Sequence, residues 1–148
     1  MEKICTFFGH RRMQIDLEKL QEAIHIVIAH FHVTQFWCGG YGDFDHCAAE
    51  MVHRTKSNYP NIRLVRILAY LPGKTDRIPE IYDASIYPEG LETIPQRFAI
   101  SKRNQWMVDH SDVFIFAVDL QTGGAYQAYQ RAKRQGKPII SIGMLQDK

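Results

Sequence analysis

Cysteine is scarce in this chain: Cys5, Cys38 and Cys47 are odd in number and none forms a CxxC pair, so neither a disulfide framework nor a zinc module is indicated. They read as small apolar core residues. No apolar run nears the roughly 20 residues needed to cross a bilayer, and Met1-Glu2-Lys3 runs straight into a strand without leader architecture. A cytoplasmic protein without a membrane partner is expected. Charge of one sign is also missing, because a formal net charge of +2 with dispersed basic residues is too little to announce a nucleic-acid surface. Repeats, low-complexity tracts and linkers are absent, and 148 residues suit one domain spanning 1–148. His30 and His32 could be drawn as a metal pair, but no third ligand stands at recognisable spacing. They are expected on the surface, and no metal or cofactor is expected.

What is present is an alternation of short apolar runs with helical periodicity. Residues 4–8 form a β-favouring run that stops at Gly9, and residues 33–37, 62–70, 113–118 and 139–142 are the further strands. Between them, Asp16 is placed as the N-cap of a helix whose apolar face carries Leu17, Leu20, Ala23, Ile24, Val27, Ile28 and Phe31. A second helix is expected over residues 43–56, a third over 96–110 and a fourth over 125–135. Residues 71–95 hold Pro72, Pro79, Pro88 and Pro95 and resist assignment beyond an extended piece at 84–87. Two readings stand for that connection. One is a lid with Tyr82 and Tyr87 stacking on a base; the other is a cover for a sheet edge or a dimer contact.

This order predicts an α/β, Rossmann-like doubly wound parallel sheet, with five main strands in the order 3-2-1-4-5 and helices on both faces. Ligands bind such folds where the winding reverses, outside the carboxyl ends of strands 1 and 4. The loops opening there carry Gly9, His10 and Arg11 on one side and Asp119, Thr122, Gly123 and Gly124 on the other, with Gly39, Gly40 and Asp43 beside them. Paired glycines at a strand's end admit a close ligand, and the following helix offers free N–H groups to an anion. Although the GxGxxG fingerprint is lacking, Gly123, Gly124 and the amide of Ala125 suit a phosphate, with Arg11 or Arg103 adding charge-assisted bonds. Asp43 and Asp45 in a first helical turn would repel a phosphate, which points that loop at a ribose or base. Each residue has a bland reading too: the glycines as turn residues, the arginines solvated or paired with Asp109 or Asp112, and His10 as a turn cap rather than a general acid.

Phe8-Gly9-His10-Arg11, Arg103, Met107, Ser111-Asp112, the apolar strand and Gly123-Gly124 occur in an order that resembles the SLOG superfamily, and the YpsA-like branch in particular. Its relatives are the LOG-type phosphoribohydrolases and the Smf/DprA proteins. The LOG resemblance implies hydrolysis of an N-glycosidic bond by an arginine, matched by Arg103, and by glutamates. The matching glutamate positions hold Tyr129 and Gln130 here, Lys of the Met-x-x-Arg-Lys motif is replaced by Asn104, and its Met by Ile100.

The resulting expectation is a binder, sensing or processing a nucleotide-derived small molecule. Arg103, Asp119 and His10 are the catalytic candidates if a bond is broken. The alternative is a nucleoside-processing enzyme, N-glycosidase or deoxyribosyltransferase, with a relocated carboxylate from Asp43, Asp45, Glu50 or Asp119. A DNA-processing accessory role is a third class, against which the dispersed basic residues speak. Trp106 and Tyr129, left over from one core, suggest a homodimer, as does the dimer formation of SLOG relatives.

Overall fold

Along the chain stand β1 (Ile4–Gly9), α1 (Leu17–Phe31), β2 (Gln35–Cys38), α2 (Gly42–Thr55), β3 (Arg63–Ile67), β4 (Ala84–Ile86), α3 (Ala99–His110), β5 (Val113–Ala117), α4 (Gly124–Arg134) and β6 (Ile139–Ser141). The structure, a computed structural model, describes residues 2–73 and 77–143. Among the described residues, six strands pair in parallel in one sheet, ordered β4-β3-β2-β1-β5-β6. The five strands read from the sequence keep their expected order. The extended piece at Ala84–Ile86 adds a sixth at the edge, beside β3.

Strand alternation divides the core into two layers. Phe7, Phe36, Leu64, Val113 and Ile115 face α1 and α2, where Leu20, Ile24, Val27, Phe44, Ala48 and Val52 meet them. Their neighbours Phe8, Trp37, Val65, Phe114 and Phe116 face α3 and α4 and pack on Met107, Val108, Ala128, Tyr129 and Ala132. A continuous apolar run was therefore required in β5, since both its faces are covered. Each fully buried large side chain contributes about 1.5–3 kcal/mol.

Local chemistry sets the ends of these elements. The Asp16 carboxylate accepts from the amides of Glu18 and Lys19 at 3.1 and 3.2 Å, which starts α1. Ser111-Asp112, prominent in the motif order, is structural. The Asp112 carboxylate accepts from Ile4 N–H at 2.8 Å while Asp112 N–H donates to Ile4 O at 2.9 Å, locking β1 to β5. Ser111 Oγ donates to Met107 O and lies 2.6 Å from Thr6 Oγ1, so the buried Thr6 hydroxyl is satisfied.

Two sequence expectations need correction. Tyr82 does not stack over the site, because its ring packs against the α1–α2 layer and under Arg66, whose guanidinium carbon lies 5.9 Å from it. Its segment extends the sheet at β4, and Lys56 pairs with Asp83 to hold it there. Nor are Trp106 and Tyr129 left over. Tyr129 is buried edge-on to Phe116, and Trp106 stacks on Trp37 with centroids 5.0 Å apart, so the core of one chain uses both. Among the described residues no helix is long and apolar enough to cross a membrane.

Candidate functional site

β1 is flanked by β2 on one side and β5 on the other, and the helices leaving β2 and β5 go to opposite faces of the sheet. A crevice opens where they diverge, holding a cavity of about 390 Å³. Gly9, His10 and Arg11 enter it from the end of β1, and Gly39, Tyr41 and Asp45 from the β2–α2 turn. Ile100, Arg103 and Asn104 come from α3, and Gly123, Gly124 and Ala125 from the start of α4. The expected residues Gly9, His10, Arg11, Gly39, Arg103, Gly123 and Gly124 thus share one wall system. Gly40, Asp43, Asp119 and Thr122 do not line it.

Arg103 is not the surface cation that its place on a helix suggested. It is 3% exposed. One guanidinium nitrogen, Nη1, donates to Gly39 O at 3.0 Å and to Ile67 O at 3.1 Å, and Nε donates to Asn104 Oδ1 at 3.1 Å. The side chain therefore ties α3 to the ends of β2 and β3 while forming part of the cavity wall. A Cβ at Gly39 would come within 2.8–2.9 Å of the guanidinium, so the glycine is what lets the arginine lie there.

Asp45 faces the same cavity from the first turn of α2, where its carboxylate accepts from Tyr41 N–H at 3.2 Å. It is a buried carboxyl, and burial raises its pKa to about 6, against the opposing pull of Arg103, the Tyr41 and Gly40 amides and Arg66. Its position in a first helical turn made it look like an exposed complement to the helix dipole. Burial also pulls the Arg103 guanidinium below its ordinary range, with Asp45 acting the other way.

His10 takes the turn-capping role among those open to it. Its Nε2 accepts from Asp119 N–H at 2.9 Å and Leu120 N–H at 3.1 Å, which requires the tautomer protonated at Nδ1 and fixes the loop leading to α4. Asp119 lines a neighbouring hollow with Arg12 and Asp16. Asp43, expected to read a ribose or base, instead binds the β1–α1 loop. Its carboxylate accepts from Met13 N–H at 3.2 Å, and its own N–H donates to Arg11 O at 2.7 Å. This close crossing needs Gly42, since a Cβ there would stand 2.5 Å from Arg11 Cα and its φ is +90°. Gly40 makes room for Arg66, for a Cβ on it would overlap the Arg66 guanidinium. Thr122 is exposed on the approach to α4.

At the start of α4, Gly123 has a φ of +93° and Gly124 is the first helical residue. A Cβ on Gly124 would stand 3.3 Å from Asn104 Nδ2, close enough that this side-chain end must give by a few tenths of an ångström. Gln130, at a glutamate position of the LOG motif, points elsewhere. Its amide donates to Tyr126 Oη at 3.2 Å beside an adjoining hollow. Arg66 went unread in the sequence, although a charge inside the 62–70 apolar run was a signal. Tyr41 lay in the glycine-rich turn without being singled out.

No protein-family model matches the chain, and no curated protein matches its sequence. Solved structures do share its fold. DNA processing protein A (DprA) from Streptococcus pneumoniae superposes with a TM-score of 0.65 at 14% identity, over 95% of this chain and 50% of that one. The single-stranded-DNA-binding DprA of Helicobacter pylori gives 0.62 at 17% identity, over 99% of this chain and 67% of that one. The Moco carrier protein of Chlamydomonas rheinhardtii gives 0.55 at 15% identity, over 95% and 76%. This chain spans half the length of the pneumococcal protein. At such identities the likeness is one of fold: a Rossmann-like parallel α/β sheet shared by proteins with different ligands.

Proposed function

We propose that the cavity at the carboxyl edge of the sheet binds a nucleotide-derived small molecule, with its phosphate on the N-terminus of α4 beside Arg11 and its base toward Tyr41 and Ile100. The observation that carries this reading is convergence. The glycine-opened end of α4, the Arg11 cation, and the Arg103 and Asp45 side chains all face one cavity of about 390 Å³, within the ~300–1,000 Å³ usual for small-molecule sites. Helix N–H groups and an arginine are the standard partners of a phosphate. We also place the chain in the SLOG superfamily, in its YpsA-like branch, as a single domain. The fold shared with DprA supports the superfamily, and the motif order supports the branch.

Calorimetry with AMP, adenosine and inorganic phosphate tests it. AMP should bind the wild-type chain. Gly124→Val should weaken that binding about tenfold or more, a loss of about 1.4 kcal/mol, with a cooperative thermal unfolding transition retained. A wild-type chain that binds none of the three overturns the proposal.

Asp45 favours a second reading, a nucleoside-processing enzyme with a relocated carboxylate. A carboxyl holding its proton to about pH 6 inside a cavity suits general acid chemistry on a glycosidic bond. Release of free base from a nucleoside monophosphate panel, lost in Asp45→Asn, would select it. The DprA likeness motivates a third, DNA-processing reading, which steeply salt-dependent binding of single strands would select.

A further inference from the structure

The cavity does not end at Tyr41. On its other side lies a hollow of about 600 Å³ whose walls include Arg66, Tyr70, Arg77 and Gln96, and Tyr41 lines both spaces. Arg66 projects from the carboxyl end of β3 between two aromatic rings, with its guanidinium carbon 6.0 Å from Tyr41 and 5.9 Å from Tyr82. Gly40 leaves room for it. Its Nε is buried and has no hydrogen-bond partner, a costly state for a charged donor unless something else answers it. The Arg103 guanidinium stands 5.6 Å from the same Tyr41 ring. Asp45 is the carboxyl that acts on both arginines, and burial works against its ionisation. Two cations beside one ring with one reluctant counter-charge leave net positive potential around Tyr41. Tyr41 is 38% exposed and therefore available for stacking.

We propose that the Arg66–Arg77 hollow is a second anion subsite, and that the ligand is a nucleoside unit carrying a phosphate on each side, one at α4 and one at Arg66 and Arg77, with its base against Tyr41. This rests on the mononucleotide reading of the first cavity and extends it. Such a unit exists free, as a nucleoside 3′,5′-bisphosphate, and within an oligonucleotide.

The test compares AMP, adenosine 3′,5′-bisphosphate and a short oligodeoxyadenylate on the wild-type chain, Arg66→Gln and Arg77→Ala. In the wild type the bisphosphate should bind about tenfold tighter than AMP. Arg77, on the exposed rim, can be removed without disturbing the core. Arg77→Ala should erase about three- to tenfold of the bisphosphate affinity and leave AMP unchanged, and Arg66→Gln, which also touches the Tyr41 ring, should lower the bisphosphate affinity more than that of AMP. An oligomer tighter than the bisphosphate identifies the unit as part of a strand; equal affinity identifies the free bisphosphate, and both outcomes support the subsite. AMP binding with no gain from the second phosphate overturns the subsite alone. Equal losses for AMP and bisphosphate in the variants also overturn it. Failure of every ligand overturns this proposal and the mononucleotide reading together.

Discussion

Arg103→Met removes a buried charge while roughly keeping its volume, and the structure sets the size of the effect. The guanidinium answers two carbonyls, Gly39 O at 3.0 Å and Ile67 O at 3.1 Å, that come from different strands and lie in a water-poor wall. Each loses its donor, at about 1–3 kcal/mol apiece. Relief from burying the charge returns part of this, which leaves a net destabilisation of about 2–4 kcal/mol. In urea, with a slope of about 2 kcal/mol per molar, the unfolding midpoint should fall by about 1–2 M at pH 7. The same variant deprives Asp45 of its strongest neighbouring cation, so the Asp45 carboxyl should titrate higher still, which is measurable by carboxyl-carbon NMR. A midpoint within about 0.3 M of wild type, with ligand binding lost, would refute this reasoning and restore Arg103 as an exposed ligand contact with no part in the fold.

Asp45 has its folded pKa raised to about 6, above the roughly 3.9 of an unfolded aspartate. Its protonated form therefore supports the fold fully below about pH 4, and that support is lost as pH rises through about 6. Asp45→Asn should be more stable than wild type by about 1–3 kcal/mol at pH 7, with the gap closing by pH 4, as read by urea unfolding across that range; a gap that widens toward acid would contradict it. His10→Ala should leave the fold intact but free the amides of Asp119 and Leu120, which it accepts at 2.9 and 3.1 Å. Hydrogen exchange at those two amides should rise at least about tenfold, the equivalent of ~1.4 kcal/mol for the lost acceptor, and unchanged protection would return His10 to the list of free side chains.

The sheet was readable because its signal is local. A strand covered on both faces must be apolar throughout, as β5 is, and α1 repeats its buried positions with helical spacing behind an Asp16 cap. The glycines at three strand ends then located the crevice once the strand order was fixed. The chemistry of individual side chains was less readable, because it depends on partners distant in sequence. Arg103 meets Gly39 and Ile67 across separations of 64 and 36 residues, and nothing on its own helix announces either. Asp45 resembled any acid in a first turn until α2 was packed beneath the β2 loop. β4 has only three residues in the proline-rich connection, so it was legible as an extended piece but not as a strand of the sheet.

The chain's two tryptophans are Trp37, just before the Gly39 turn, and Trp106, one helical turn beyond Arg103 on α3. Their rings lie 13° from parallel with centroids 5.0 Å apart, and the His110 ring stacks on Trp106 at 4.4 Å. Indoles that close couple their excited states, so the pair should give a split near-ultraviolet dichroism band and strongly quenched emission. Because one indole sits in β2 and the other on α3, a shift of the helix against the sheet would uncouple the band. The molecule thus carries an unlabelled optical gauge between the two segments that Arg103 joins, and a ligand titration can be followed by ultraviolet light alone.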